Sequence, residues 1–415
     1  MIPKYIKLFL AFILLNVSGI YAQESDSLSL NSEQFFIQIS EILQNTPSKN
    51  FQKKSEILMD RFNQRWSIGR FNKDEKAEVR TLIEKMRSRK MRTYPYLYDY
   101  INALTLLSES NQVPLSIISW HAYAQKLLDE KKSTHFSNFL SFTIDLLENN
   151  RFHKKNSLSW YQRNSRYSFF LDTNFLVIFK KGDLVGGTKK DSSVIIGTNG
   201  VFNYELETWE GESGQLRWSR FEQEGAKEIF ADFNNYFIDL NQLSYTVDSA
   251  ILHYKRFFTN PVLGTITDRI ASSPPNEKSS FPRFDAYFDN FELYNIYPEV
   301  SFFGGAQLEG LKLFGIGGNK SKAVVKLTKS DSLYAMVRAE KFGLNSDGFV
   351  SANAEFVFYF DKDSLYHPSL RVKYANDDRQ FVMYNNYVGT TMTPFFDSYH
   401  ELDIYVQALF WKMNE

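Results

Sequence analysis

Apolar residues recur three and four apart through the first part of the chain and then switch to alternate positions, and the switch falls near Trp160. Before it, Phe35, Ile39, Ile42 and Leu43 share one helical face that Pro47 closes. Phe51, Ser55, Leu58, Phe62 and Trp66 make a second face, punctuated by Gly69 and Asn72. Val79, Leu82, Ile83 and Met86 predict a third helix; Leu97, Tyr100, Ile101, Leu104 and Leu107 predict a fourth, entered through Thr93 with Pro95 in its first turn. Pro114 opens a fifth, carrying Ile117, Trp120, Ala124, Leu127 and Leu128, and Phe136, Phe139, Leu140 and Leu147 complete a sixth. Short connections between helices of similar length imply antiparallel neighbours, so residues 24–155 read as a helical bundle or a stack of helical hairpins.

After the switch the period is two. Phe202, Tyr204 and Leu206 interleave with polar neighbours, as do Leu402, Ile404, Val406 and Ala408. Short alternating runs bounded by Gly, Asn, Asp and Ser are the signal of strands with one buried face. Only Ala226 to Phe233 reads as a short helix among them, which argues against a parallel sheet with crossover helices. The expected fold class is α+β and multi-domain: an all-α head, then an all-β region built as stacked hairpins, a sandwich or an irregular β-solenoid. Ala271 to Phe281, rich in Ser and Pro, is the expected linker between β-rich domains at 158–270 and 283–415. Asp-Ser pairs at Asp191, Asp248, Asp331 and Asp363, and more loosely at Asp397, precede apolar runs and read as turns entering strands.

The first 22 residues change the picture of where the protein works. Lys4 and Lys7, the apolar run Leu8 to Leu15 and the exit Ile20-Tyr21-Ala22 have the order of a secretory signal, so the mature chain is expected to start near Gln23 and to act outside the cytoplasm. The apolar core is too short to span a bilayer, and no later segment is long enough. The chain has no cysteine, which excludes an acylated-cysteine anchor, disulfides and a cysteine nucleophile. Its 48 Lys and Arg balance 48 Asp and Glu, so no long-range field draws in nucleic acid. Lys85, Arg87, Arg89, Lys90 and Arg92 form a local basic run; it reads as the cationic end of the third helix rather than a phosphate grip.

Candidate chemistry is sparse. Trp209, Glu210, Glu212 and Trp218 cluster around Glu-Gly-Glu-Ser-Gly, combining an aromatic platform with carboxylates, the elements of a ligand-binding or glycan-cleaving cleft. The competing reading makes that segment a polar turn of a hairpin with the two tryptophans packed across it. Asp285, Asp289 and Glu292 around Tyr287 carry the same ambiguity. The glycines at 304, 305, 310, 315, 317 and 318 precede strands, not a helix, so they read as turns and bulges and not as a phosphate loop. His121, His135, His153, His253, His367 and His400 lack close ligand spacing, although the last three are free to converge in space; no metal and no cofactor is expected. No Gly-x-Ser-x-Gly elbow occurs.

From its Ala-Gln signal exit through Trp209-Glu210-Gly211 to the run Phe360-Asp361-Lys362-Asp363-Ser364-Leu365-Tyr366-His367-Pro368, the chain resembles the N-terminal portion of large uncharacterised envelope proteins of Gram-negative bacteria. The resemblance implies an envelope location and a β-rich build, and it carries no activity over to particular residues. The reading that follows is an exported structural or binding module, periplasmic, outer-surface or secreted, with envelope proteins or glycans as partners. The alternative is a glycan-active hydrolase using paired carboxylates near Trp209 or Tyr287. An outer-membrane barrel is disfavoured, because Lys, Asp and Glu alternate into most strands and Lys412 to Glu415 lacks a terminal aromatic. Alternation persists to Phe410-Trp411, so the last strand is expected to leave an edge that pairs with further β structure.

Overall fold

The computed structural model describes residues 28–45, 48–110, 114–130, 133–276, 278–318, 321–329, 332–388 and 391–413. The expected signal segment, Met1 to Ala22, and Pro47 lie outside them. Contacts group the chain into two units, residues to Asn150 with Phe169–Leu171, and Arg151–Ser168 with Asp172 onward.

The first unit is helical: α1 (Ser32–Gln44), α2 (Lys49–Ser67), α3 (Lys73–Ser88), α4 (Tyr98–Glu109), α5 (Pro114–Asp129) and α6 (Ser133–Asn149). The helix starts follow from their caps. The Asn31 side chain accepts from the backbone of Glu33 and Gln34, and Asn72 forms a capping box with Glu75, satisfying N–H groups that no helical turn can reach. The helices contact one another in the pairs α1 with α2, α2 with α4, α4 with α6 and α5 with α6. Trp66 stacks on Phe35 with ring centres 5.2 Å apart, and the Arg80 guanidinium covers both rings. The Trp120 indole donates to Thr143 Oγ1 at 2.8 Å, so this fully buried ring keeps no orphan N–H. The fourth helix starts later than its pattern suggests. Tyr94 is extended, as a residue before proline prefers, and regular helix begins at Tyr98. The basic run closes α3: Lys90 takes a left-handed φ of 53°, its N–H bonds the Arg87 carbonyl, and Lys85 pairs with Asp129.

The second unit is antiparallel β-sheet. Strands begin at Arg151, earlier than the alternation alone places them, because Asn150 turns the chain at φ 55°. β1 (Arg151–Lys155) and β2 (Leu158–Arg163) form a hairpin, β3 (Arg166–Leu171) follows, and β2 pairs β4 (Phe175–Gly187). The chain then meanders through β5 (Ser192–Asn203), β6 (Thr208–Arg217), β7 (Phe230–Asp239), β8 (Ser244–His253), β9 (Val262–Arg269) and β10 (Arg283–Ala286), each antiparallel to its predecessor. β9 and β10, on either side of the expected linker 271–281, therefore pair directly within one sheet; Glu277 of that segment lies outside the described residues. β10 and β11 (Phe291–Tyr297) share one flank of β12 (Val300–Glu309); β13 (Lys312–Ile316) and β14 (Ala323–Lys329) share the other. β15 (Ser332–Ala339) and β16 (Lys341–Asn345) carry these onto two halves of β17 (Gly348–Phe360), and β17 pairs β18 (Asp363–Ala375). β19 (Gln380–Asn385), a separate hairpin of β20 (Tyr387–Val388) and β21 (Thr391–Met392), β22 (Phe395–Asp397), β23 (Leu402–Ile404) and β24 (Ala408–Lys412) complete the chain.

One irregularity organises this sheet. In β4 the buried positions are Phe175, Val177 and Phe179, then Gly182 and Leu184; in β5 they are Ser193 and Ile195, then Thr198, Gly200 and Phe202. The same change of parity occurs in β6 between Gly211 and Leu216, in β7 between Phe233 and Tyr236, and in β8 between Val247 and Ala250. Left-handed residues mark it, Lys181, Gly197, Asn235 and Ser249, at φ 49° to 67°. An extra residue bends a strand and would turn its next half inside out, unless the apolar residues shift parity too, as they do here. Because the register sets these insertions side by side, Gly182 opposite Thr198 and Ser213 opposite Asn234, they line up as a crease across β4 to β8. β17 and β18 repeat the device, with buried Ser351 followed by Ala354, and His367 by Leu370.

Two local expectations are corrected. Ala226 to Phe233 is not a helix: one 3-10 turn spans Glu224–Glu228 and β7 starts at Phe230, whose alternation buries Ala231 and Phe233. The Asp-Ser pairs do not share one role. Ser192 opens β5, Ser332 opens β15 and Asp363 opens β18, but Asp248-Ser249 is the bulge inside β8 and Asp397 ends β22. Asp331 lies outside the described residues.

Candidate functional site

The structure separates the four residues of the tryptophan cluster. Thr208–Arg217 is a single strand, so Glu-Gly-Glu-Ser-Gly is not a hairpin turn, and its alternation sends Trp209 inward and Glu210 and Glu212 to solvent. Trp209 is fully buried, donates to the Tyr236 hydroxyl at 3.1 Å, and packs on Phe152 and Phe179. Gly200 lies beneath its ring, where a Cβ would come within 2.3 Å of Trp209 Cζ2. Trp218 is also fully buried and donates to the Gly310 carbonyl at 2.8 Å. The tryptophans build the core and present no platform beside the acids. Glu212 accepts from the Asn199 amide on the outer face.

The second group is similarly dispersed. Arg283 clamps Asp285 through both Nε and Nη2, at 2.8 and 2.9 Å, and Gln307 donates to it as well. Partial burial raises this carboxyl, but those hydrogen bonds outweigh it and hold Asp285 below the usual carboxylate range. Glu292 accepts from the Tyr294 hydroxyl, and the Tyr287 hydroxyl accepts from the backbone N–H of Ser249 at the crease. Among the described residues no three His, Cys, Asp or Glu side chains stand where they could hold a metal ion. His253 pairs with Asp232, His367 accepts from the Ser369 N–H, and His400 pairs with Asp397. His121 sits in the helical unit, bonded to the Tyr100 hydroxyl at 2.8 Å, and burial pushes its pKa down to about 4.

Two polar assemblies in the β unit were not legible in the sequence. The first is buried. Arg220 bonds both Asp191 and Asp268; Ser193 donates to Asp268 at 2.5 Å; and Asp191 also accepts from the backbone N–H of Ala271 at 2.6 Å. Burial pushes the Asp268 carboxyl up, against the pull of Arg220 and Ser193. This network ties the start of β5 to the end of β9, and the three charged side chains are at least nine-tenths buried, leaving nothing for a ligand to reach.

The second assembly is open. Along the crease, Ile196 and Gly197 of β5, Ser213 to Gln215 of β6, Asp232 to Asn234 of β7, and Ser249 and Ile251 of β8 line a groove of about 310 Å³. Asp232 stands in it with a side chain 45% exposed, held by Gln215 Nε2 at 2.9 Å on one oxygen and by His253 Nε2 at 3.1 Å on the other. His253 is itself oriented by stacking on Phe230, 4.4 Å between ring centres and 10° from parallel. The bulged backbone forms the groove, and residue periodicity hides it, since its lining comes from four strands. Comparisons with protein-family models, with curated proteins and with solved structures find no match to this chain.

Proposed function

We propose that the chain is an exported binding module of the cell envelope whose β unit holds a glycan strand in the groove along its crease. The observation that supports this reading is the pre-formed groove, whose volume falls at the lower end of ligand clefts, roughly 300–1,000 Å³. Asp232 accepts hydroxyl donors; Gln215 and Asn234 donate and accept; Ile196 and Ile251 offer apolar contact to the C–H face of a sugar ring. Lys4, Lys7, the apolar run and Ala22 support export, and no helix among the described residues is long and apolar enough to cross a membrane. In this reading the helical unit is a bundle or hairpin stack, and the β unit is a sandwich-like sheet rather than a solenoid.

One observation favours hydrolysis as a second reading. Glu210 and Glu212 share the outer face two residues apart on one strand, which sets two carboxylates on the same surface, the residue types that glycoside hydrolysis uses. Calorimetric titration of the mature protein with a panel of soluble oligosaccharides, alongside an assay for released reducing ends, separates the two. The binding reading expects saturable binding that Asp232→Ala with Gln215→Ala removes, and no release. Release abolished by Glu210→Gln or Glu212→Gln would replace it with the hydrolase, and absence of binding across the panel would overturn it.

A further inference from the structure

The register of β5 to β9 lays five side chains of the outer face in one line. Ile196 stands opposite Gln215, Gln215 opposite Asp232, Asp232 opposite Ile251, and Ile251 opposite Leu263. The backbone N–H of Tyr287, one residue past β10, bonds the Leu263 carbonyl at 3.0 Å and adds Tyr287 as a sixth member. At the usual spacing of neighbouring strands this line is roughly 24 Å long, and it runs across the strands rather than along them. The groove along the crease takes in its first four members. Leu263 and Tyr287 lie beyond the groove, and with Ile251 each is more than a third exposed.

An exposed aromatic ring ordinarily samples several rotamers. Tyr287 is held instead. Its hydroxyl accepts from the backbone N–H of Ser249 at 2.8 Å, and its other hydrogen-bond partner is the Thr265 side chain, which donates to Asp248 at 3.1 Å. The bulge at Ser249 takes that N–H out of the β8–β9 ladder, and Ser249 also lines the groove, so the bulge that shapes the groove fixes the tyrosine beside it. A ring already fixed in place loses little freedom when a ligand stacks on it. We propose that the groove takes a linear glycan several rings long, laid across the strands from Ile196 to Tyr287, with Tyr287 as the stacking platform for the rings that extend past Asp232. This inference rests on the reading of the groove as a glycan site. A sugar ring carries hydroxyls on its rim and C–H groups on its faces: Gln215 and Asp232 meet the rim, and Ile251, Leu263 and Tyr287 meet the faces. A disaccharide fills the groove and leaves Leu263 and Tyr287 uncovered, whereas a longer chain covers them, so affinity rises with length until the line is filled.

The test titrates the mature full chain with linear β-1,4-linked oligomers of glucose and of N-acetylglucosamine, from disaccharide to hexasaccharide. In at least one series the hexasaccharide is expected to bind at least tenfold more tightly than the disaccharide. Tyr287→Ala is expected to weaken the hexasaccharide at least tenfold, to leave the disaccharide within twofold and to leave the melting temperature unchanged. Should Tyr287→Ala disturb folding, Leu263→Ser decides on its own, with an expected loss of at least threefold for the hexasaccharide and none for the disaccharide. Binding that Asp232→Ala with Gln215→Ala removes, but that is indifferent to chain length or keeps its full length dependence in Tyr287→Ala and Leu263→Ser, overturns this inference and leaves the groove as a glycan site. Binding that survives Asp232→Ala with Gln215→Ala overturns the groove reading itself, and no binding of either series overturns the linear chain. Concentration-dependent self-association of the protein that Tyr287→Ala relieves also overturns the inference, and assigns the line to a second copy.

Discussion

Asp268 and Asp232 are carboxylates of one sheet, each held in a polar network with a nitrogen partner, yet they do opposite things. Asp268 is fully buried, and Arg220, Ser193 and the backbone of Arg269 occupy its oxygens. Asp232 keeps nearly half its side chain in solvent, and Gln215 and His253 hold it from one side only. A charge with every lone pair occupied inside a sheet holds strands together; one fixed in position but open to solvent is available to a ligand. Residue type does not distinguish them. Burial and hydrogen-bond satisfaction do.

The largest effect expected from this contrast is on stability. Arg220→Ala leaves the Asp268 and Asp191 carboxylates buried side by side, and unfolding of the β unit in urea should show a loss of about 3–5 kcal/mol at pH 7.5. The loss should shrink toward pH 4.5. Asp268 already has a raised pKa in the folded state, so its protonated form carries stability that is present below the unfolded carboxylate value and lost as pH rises through the folded one. A loss below 1 kcal/mol would show that the network is dispensable and would break the comparison.

An intermediate case sharpens it. His121 is buried against Tyr100, with the exposed Glu78 carboxylate 3.3 Å from its other nitrogen, and its pKa is lowered to about 4 by burial. A base with a depressed folded pKa contributes stability present above the unfolded value near 6.5 and lost as pH falls toward 4. Unfolding of the helical unit should therefore weaken by about 2–3 kcal/mol over that window. Asp99, raised to about 6 by burial, acts in the opposite sense, losing its contribution as pH rises through 6. The difference between the wild type and His121→Asn isolates the histidine, and parallel pH profiles for the two would contradict the assignment. The smallest stability effect is expected at Asp232: Asp232→Asn should lie within about 0.5 kcal/mol of wild type in the same urea experiment. A larger cost would make Asp232 a second structural lock.

The helices were legible because one period persists through each of them; Phe35, Ile39 and Leu43, or Leu58, Phe62 and Trp66, name buried faces outright. The strands were legible as alternation but not in length, since a bulge at Asn235 or Ser249 reverses the parity and makes one long strand read as two short ones. That reversal also explains why Asp248-Ser249 resembles a turn. The tryptophan cluster misled because adjacency in a strand places neighbours on opposite faces, so Trp209 and Glu210 never meet. Arg220, Asp191 and Asp268 are far apart in the chain, and no local pattern joins them.

Hydrogen–deuterium exchange of the mature protein, with and without the oligosaccharide that binds most tightly in titration, tests the crease groove most directly. The account predicts slowed exchange together in the segments around Ile196–Gly197, Ser213–Gln215, Asp232–Asn234 and Ser249–Ile251, and no change around Asp191, Arg220 and Asp268. Slowing confined to other strands, or no change along the crease when the sugar is bound, would contradict it.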